Sequence, residues 1–159
     1  MHLWSPILLL VLTTAFAPRA LAEGPEGIFV LQAPFEATEA FDRVYRALEA
    51  EEFWVVFEAN MGDRMARFAE RWGADYNRND LGGIKAMVFC NMEWTNHIAN
   101  ADPLLLGLCP LHLTVYERRG ETFIVFPRPS YIARGSTGAT RAAELEAVLR
   151  GILEKALEP

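Results

Sequence analysis

The spacing of apolar and polar positions along the chain predicts alternating strands and helices. Ile28-Phe-Val-Leu-Gln32 is a short run of strand character, ended by Pro34. From Thr38 onward, Phe41, Val44, Tyr45 and Leu48 fall at i, i+3, i+4 and i+7, which is one face of a helix. Phe53-Trp-Val-Val-Phe57 is apolar on both faces, which predicts a strand at the centre of a sheet. Asn60 then offers an N-cap for a second helix, with Met61, Met65, Phe68 and Trp72 in one stripe and Gly73 as its stop. An apolar stripe at that spacing is expected to face the core.

Beyond a polar loop over 75–83, a strand is expected over 84–90, then a short helix with Trp94, Ile98 and Ala101 on one side. Asp102-Pro103 has the chemistry of an N-cap followed by the first helical position. The clearest local signal is 111–126, two strands joined at Arg119-Gly120 by a two-residue hairpin turn. That turn sets Tyr116 opposite Phe123 and Thr114 opposite Val125. A long helix over 139–157 closes the chain, with Leu145, Leu149, Ile152 and Ala156 expected on its buried face. The order β-α-β-α-β-α-β-β-α predicts an α+β fold, a mainly antiparallel sheet with helices packed on one face.

The amino terminus changes how the composition is read. Residues 7–17 are an apolar run, and Ala20-Leu21-Ala22 puts small residues at −3 and −1 before Glu23. This reads as a secretory signal peptide over 1–22, too short to span a bilayer, which takes roughly 20 apolar residues. Without it, 137 residues remain as one domain over 23–159, with 14 basic against 21 acidic side chains and a net charge of −7. No later stretch predicts a membrane span, and no cysteine follows the cleavage point to carry a lipid. An acidic chain argues against nucleic acid as a partner. The expected location is periplasmic or secreted, an oxidising compartment.

That location sharpens the two cysteines. Cys90 closes one strand and Cys109 precedes another, with His97 between them and Met92 and His112 nearby. A disulfide between the two is the default for an exported chain, worth about 3 kcal/mol by the loop-entropy argument. Two buried free thiols remain open. So does a metal or redox-active site in which Cys90, Cys109, His97, His112 and Met92 offer the ligands copper or zinc prefers, although no recognised metal spacing is present and no cofactor is predicted.

The hairpin supplies the other candidate. Leu111, Leu113 and Val115 share the face that also holds Ile124 and Phe126 and should meet the helices. His112, Thr114, Tyr116, Phe123 and Val125 share the opposite face, aromatic and polar together. Such a face can hold a small molecule, a protein partner or a second copy in a homodimer. The small-residue loop over 135–140 lacks the ending of a phosphate-binding loop and reads as a linker. No nucleophile, zinc-protease or dinucleotide motif is present, so nothing points to an enzyme.

Several of these pieces together resemble the domain of unknown function 302 family. They are Phe53-Trp-Val-Val-Phe57, Phe89-Cys90-Asn91-Met92, Asp102-Pro103, Leu108-Cys109-Pro110, and Val115-Tyr116-Glu117 with Gly120. The resemblance spans about 38–132 and implies a compact sheet with helices on one side, without implying an activity. Cys90, Met92 and Cys109 stand where the family pattern carries other residues. The expectation is a non-enzymatic exported domain that binds through the His112 face. The alternative is a metal-handling or thiol-redox protein built on the cysteines.

Overall fold

The computed structural model describes residues 24–159. The expected signal peptide lies outside the described residues. Five strands form one antiparallel sheet in the order β1-β5-β4-β3-β2: β1 (Ile28–Ala33), β2 (Trp54–Asn60), β3 (Leu81–Cys90), β4 (Leu111–Arg118) and β5 (Glu121–Pro127). The main helices are α1 (Ala37–Ala50), α4 (Met92–Ala101) and α6 (Ala139–Ala156), with shorter α2 (Met61–Ala66), α3 (Ala69–Trp72) and α5 (Pro129–Ile132). The α+β expectation and its element order hold.

The alternation along β4 and β5 decides which face is covered. Leu113, Val115, Ile124 and Phe126 are buried and meet Leu31 from β1, Met87 and Phe89 from β3, Val44 and Leu48 from α1, and Leu149 and Leu153 from α6. Full burial of each such side chain contributes about 1.5–3 kcal/mol. The hairpin turn has φ of 55° at Arg119 and 77° at Gly120, the positive pair that a type I′ turn needs. It delivers the expected pairs, Thr114 with Val125 and Tyr116 with Phe123.

Helix α1 is anchored from the sheet. Glu36 makes no side-chain cap, and instead the Glu117 carboxylate accepts a hydrogen bond from the Ala37 amide at 2.9 Å. The close approach rests on Gly83, where φ is 55° and an added Cβ would lie 2.8 Å from the Ala37 Cβ.

Three expectations are corrected. First, the 53–57 run is not central: β2 is an edge strand, and Trp54, Val56 and Phe57 are exposed. A bulge between Val55 and Phe57 makes Val56 the extra residue, so the run's apolar character faces outward on both sides of Val55. Second, the Met61, Met65, Phe68 and Trp72 stripe is not core. The helix breaks into α2 and α3, neither of which buries a residue, and Phe68 and Trp72 stay 43% and 41% exposed. Asn60 does cap α2, accepting from the Asp63 amide at 3.0 Å. Third, the buried stripe of α6 is Ala142, Leu145, Glu146, Leu149 and Leu153, while Ile152 and Ala156 only border the core.

Candidate functional site

Because the main helices pack on one side, the described residues leave the other face of the sheet open over most of its extent. Val30, Val125, Thr114, Ala86 and Ala59 run as one row across all five strands. Beside it lies the row Gln32, Phe123 and Tyr116. On the other side His112, Val88 and Phe57 form a third. None of these rows contains an Asp, Glu, Lys or Arg. Thr114, Tyr116, Phe123 and Val125 are half-buried by their neighbours in the sheet, and His112 is exposed. The rings of Tyr116 and Phe123 stack at 5.4 Å between centroids with 25° between planes. All five expected residues therefore lie on one face.

Among the described residues, charge appears at the end of the face, where Arg118 stands opposite Glu121 in the hairpin ladder and Glu121 accepts from Gln32 Nε2 at 2.9 Å. The face has one raised border. Gly83 and Lys85 turn toward the helices, against Ala37 and over the Phe41 ring, so Ile84 between them points to the open side. There α2 covers it: Ile84 is buried, and a Cβ on Gly62 would sit 3.7 Å from the Ile84 Cβ. From that border α3 carries the stacked pair Phe68 and Trp72, 5.3 Å apart, and Trp72 leans toward Tyr76.

Sequence reasoning missed Val30, Gln32, Phe57, Ala59, Ala86 and Val88 as parts of this face. The alternation of β1 and β3 could have found four of them. For Phe57 and Ala59 the bulge in β2 hides the phase.

The cysteines form the disulfide Cys90–Cys109, with Cα atoms 6.1 Å apart, linking the end of β3 to the approach to β4. Thr95 Oγ1 lies 3.1 Å from the Cys90 sulfur and 3.0 Å from that of Cys109. Its hydroxyl donates to the Asn91 carbonyl at 2.8 Å, so its remaining capacity toward sulfur is that of an acceptor. The void beside the bridge, bordered by Phe53, Trp94, Ile98, Leu108 and Leu145, measures 10 Å³, room for about one water.

The remaining candidates scatter. Met92 is exposed at the start of α4, and His97 stands 3.6 Å from Glu93 and beside Trp94 on the same helix. His112 is on the open face, at the lip of a 70 Å³ cavity with Pro110, Pro127 and Ile132. Among the described residues, no three His, Cys, Asp or Glu side chains gather where a metal could be held. The loop before α6 is pinned internally: Ser136 Oγ donates to Asp102 and accepts from the Gly138 amide at 2.9 Å, and Thr137 Oγ1 donates to the Ala101 carbonyl at 2.9 Å. The Ser136 hydroxyl, then the Leu104 amide, hold the Asp102 carboxyl below its ordinary pKa. Among the described residues, no helix is long and apolar enough to cross a membrane.

Comparison with known proteins places this architecture. A crystal structure of an uncharacterized conserved protein DUF302 from Bacillus stearothermophilus has a similar fold, with a TM-score of 0.69 and 19% identity over 83% of this chain and 99% of that one. No curated protein matches the chain. The family profile described as Domain of unknown function DUF302 matches residues 29–156, a longer stretch than the 38–132 in which the resemblance was legible. The chain belongs to the DUF302 family.

Proposed function

We propose that this chain is an exported, non-catalytic binding domain that docks a protein on the open face of its sheet. The observation that carries the reading is the face itself: five strands wide at its middle row, free of charge in its three rows, and bearing the stacked Tyr116–Phe123 pair beside that middle row. A charge-free sheet face of that width, half-buried only by its own neighbours, suits a macromolecular contact. Small-molecule sites are concave and usually enclose about 300–1,000 Å³. The cavity beside His112, at 70 Å³, falls well below that, and the 440 Å³ hollow at the Gln32–Glu121 end is lined by the carboxylates Glu36, Glu39 and Glu121 and lies off the charge-free rows. Export rests on the amino-terminal apolar run and the Ala20-Leu21-Ala22 ending, and the disulfide suits an oxidising compartment.

The test is photo-crosslinking in a bacterial host that exports the chain. A photoreactive amino acid at position 114 should give a discrete protein adduct, and the same group at Ala147, exposed on α6, should not. The amino terminus of the recovered chain should be Glu23. Equal or absent labelling at the two positions would sink the docking reading, and recovery of residues 1–22 on the mature chain would sink export.

A further inference from the structure

We infer that the 440 Å³ hollow at the Gln32–Glu121 end of the sheet binds a linear polyamine, a small organic cation with spaced ammonium groups. The site touches the docking face only at Gln32, and the inference does not rest on the docking reading.

The hollow forms where β1 hands the chain on to α1. Ala33, Pro34 and Phe35 make one wall, and the start of α1 brings Glu36 and Glu39. The start of β5, just after the Gly120 turn, closes the other side with Glu121 and Thr122. The volume lies within the about 300–1,000 Å³ usual for small ligands. Glu39 is offset by Arg43, whose Nε stands 3.0 Å from it and whose guanidinium lies 3.7 Å over the Phe35 ring. Among the described residues, Glu36 and Glu121 enter no ion pair, so two carboxylate charges remain. Gln32 gives its Nε2 to Glu121, which leaves its Oε1 as a further acceptor.

Thr122 separates this hollow from a mere patch of acid. It is 3% exposed, and its hydroxyl makes no hydrogen bond among the described residues. Glu117, opposite it in the ladder, is taken by the Ala37 amide. Among the described residues, the one unpartnered side-chain polar atom sealed from solvent is Arg150 Nε. The small open part of Thr122 therefore includes its hydroxyl, and the hollow is what the residue lines. A hydroxyl buried to this degree without a partner costs stability, which a donor on a ligand recovers. An ammonium group brings donors only, matching the carboxylates, the amide oxygen and this hydroxyl. A divalent metal does not fit, because no three His, Cys, Asp or Glu side chains converge among the described residues. Carboxylates that stand apart suit charges spaced along a flexible chain.

Isothermal titration calorimetry of the purified chain with spermidine tests this. One molecule should bind per chain, with a Kd in the tens of micromolar that weakens as salt rises. Glu36→Gln and Glu121→Gln should each weaken binding about fivefold; both residues are exposed, so the variants should fold. Thr122→Val removes no charge and no hydrogen bond within the chain, so it should fold as the parent does and weaken binding about threefold. Glu93→Gln removes the same charge at the far end of the sheet, on α4, and should leave binding unchanged. Absence of saturable heat with spermidine would overturn the proposal. Equal weakening by Glu93→Gln, or indifference to Thr122→Val, would overturn it by reducing the site to diffuse acidity. Calcium bound as tightly as spermidine and lost in the same variants would overturn it in favour of a metal. Tighter binding of N-acetyl-lysine amide than of spermidine would overturn it in favour of a lysine from a protein partner.

Discussion

Glu146 is the residue most at odds with its setting. It sits on the buried stripe of α6 yet accepts hydrogen bonds from Arg128 Nε at 2.8 Å, the Ser130 amide at 3.0 Å and the Ser130 hydroxyl. Burial pushes its pKa up, but the Ser130 hydroxyl, Arg128 and the Ser130 amide together outweigh it and hold the carboxyl below its ordinary pKa. Because the folded pKa is the lower one, this stabilisation is fully present above the unfolded pKa and is lost as pH falls through the folded value. Glu146→Gln should therefore cost about 2–3 kcal/mol at pH 7. The difference from the parent should shrink on acidification below the carboxylate range, read by urea unfolding at the two pH values. Nothing in the spacing of 145–149 announced this residue, since a glutamate on an apolar stripe looks like its solvated edge until Arg128 and Ser130 are placed against it.

At the scale of elements, legibility followed the locality of the signal. The β4–β5 hairpin was readable to the residue because its register is set within the turn at Arg119-Gly120. Helix α1 was readable because Phe41, Val44 and Leu48 meet a core on one side only. Strand β2 was not: an apolar run has the same spacing whether a strand is covered on both faces or stands exposed at an edge. The α2–α3 stripe failed for the same reason, since periodicity shows that a face is apolar and leaves open what covers it. In α6 the error was one of phase. Substitution separates the two phases: Leu153→Ala should cost about 2–5 kcal/mol by leaving a cavity, whereas Ile152→Ala should cost about 1 kcal/mol. Equal costs in thermal or urea unfolding would return the helix to the phase expected from its sequence.

For the whole molecule, the open face was half legible. Its β4 and β5 residues could be named from alternation, while the contributions of β1, β2 and β3 depended on strand order, which is set by long-range pairing that no local pattern encodes. The disulfide acts at this scale as well. It spans 19 residues of sequence and should contribute about 3 kcal/mol, so reduction should lower the urea midpoint without changing the fold at 25 °C. Unchanged unfolding under reductant would show that the bridge adds nothing to packing already present. Its ends lie at the close of β3 and just before β4, two neighbouring interior strands, so the segment between them, α4 and the exposed turn at Leu104 included, forms a covalent ring held against the sheet at both ends. A protease reaching Leu104 would open the ring and still release no fragment. The two pieces would stay joined, heavier than the intact chain by the one water of hydrolysis, and would part only once the sulfur bridge was broken too.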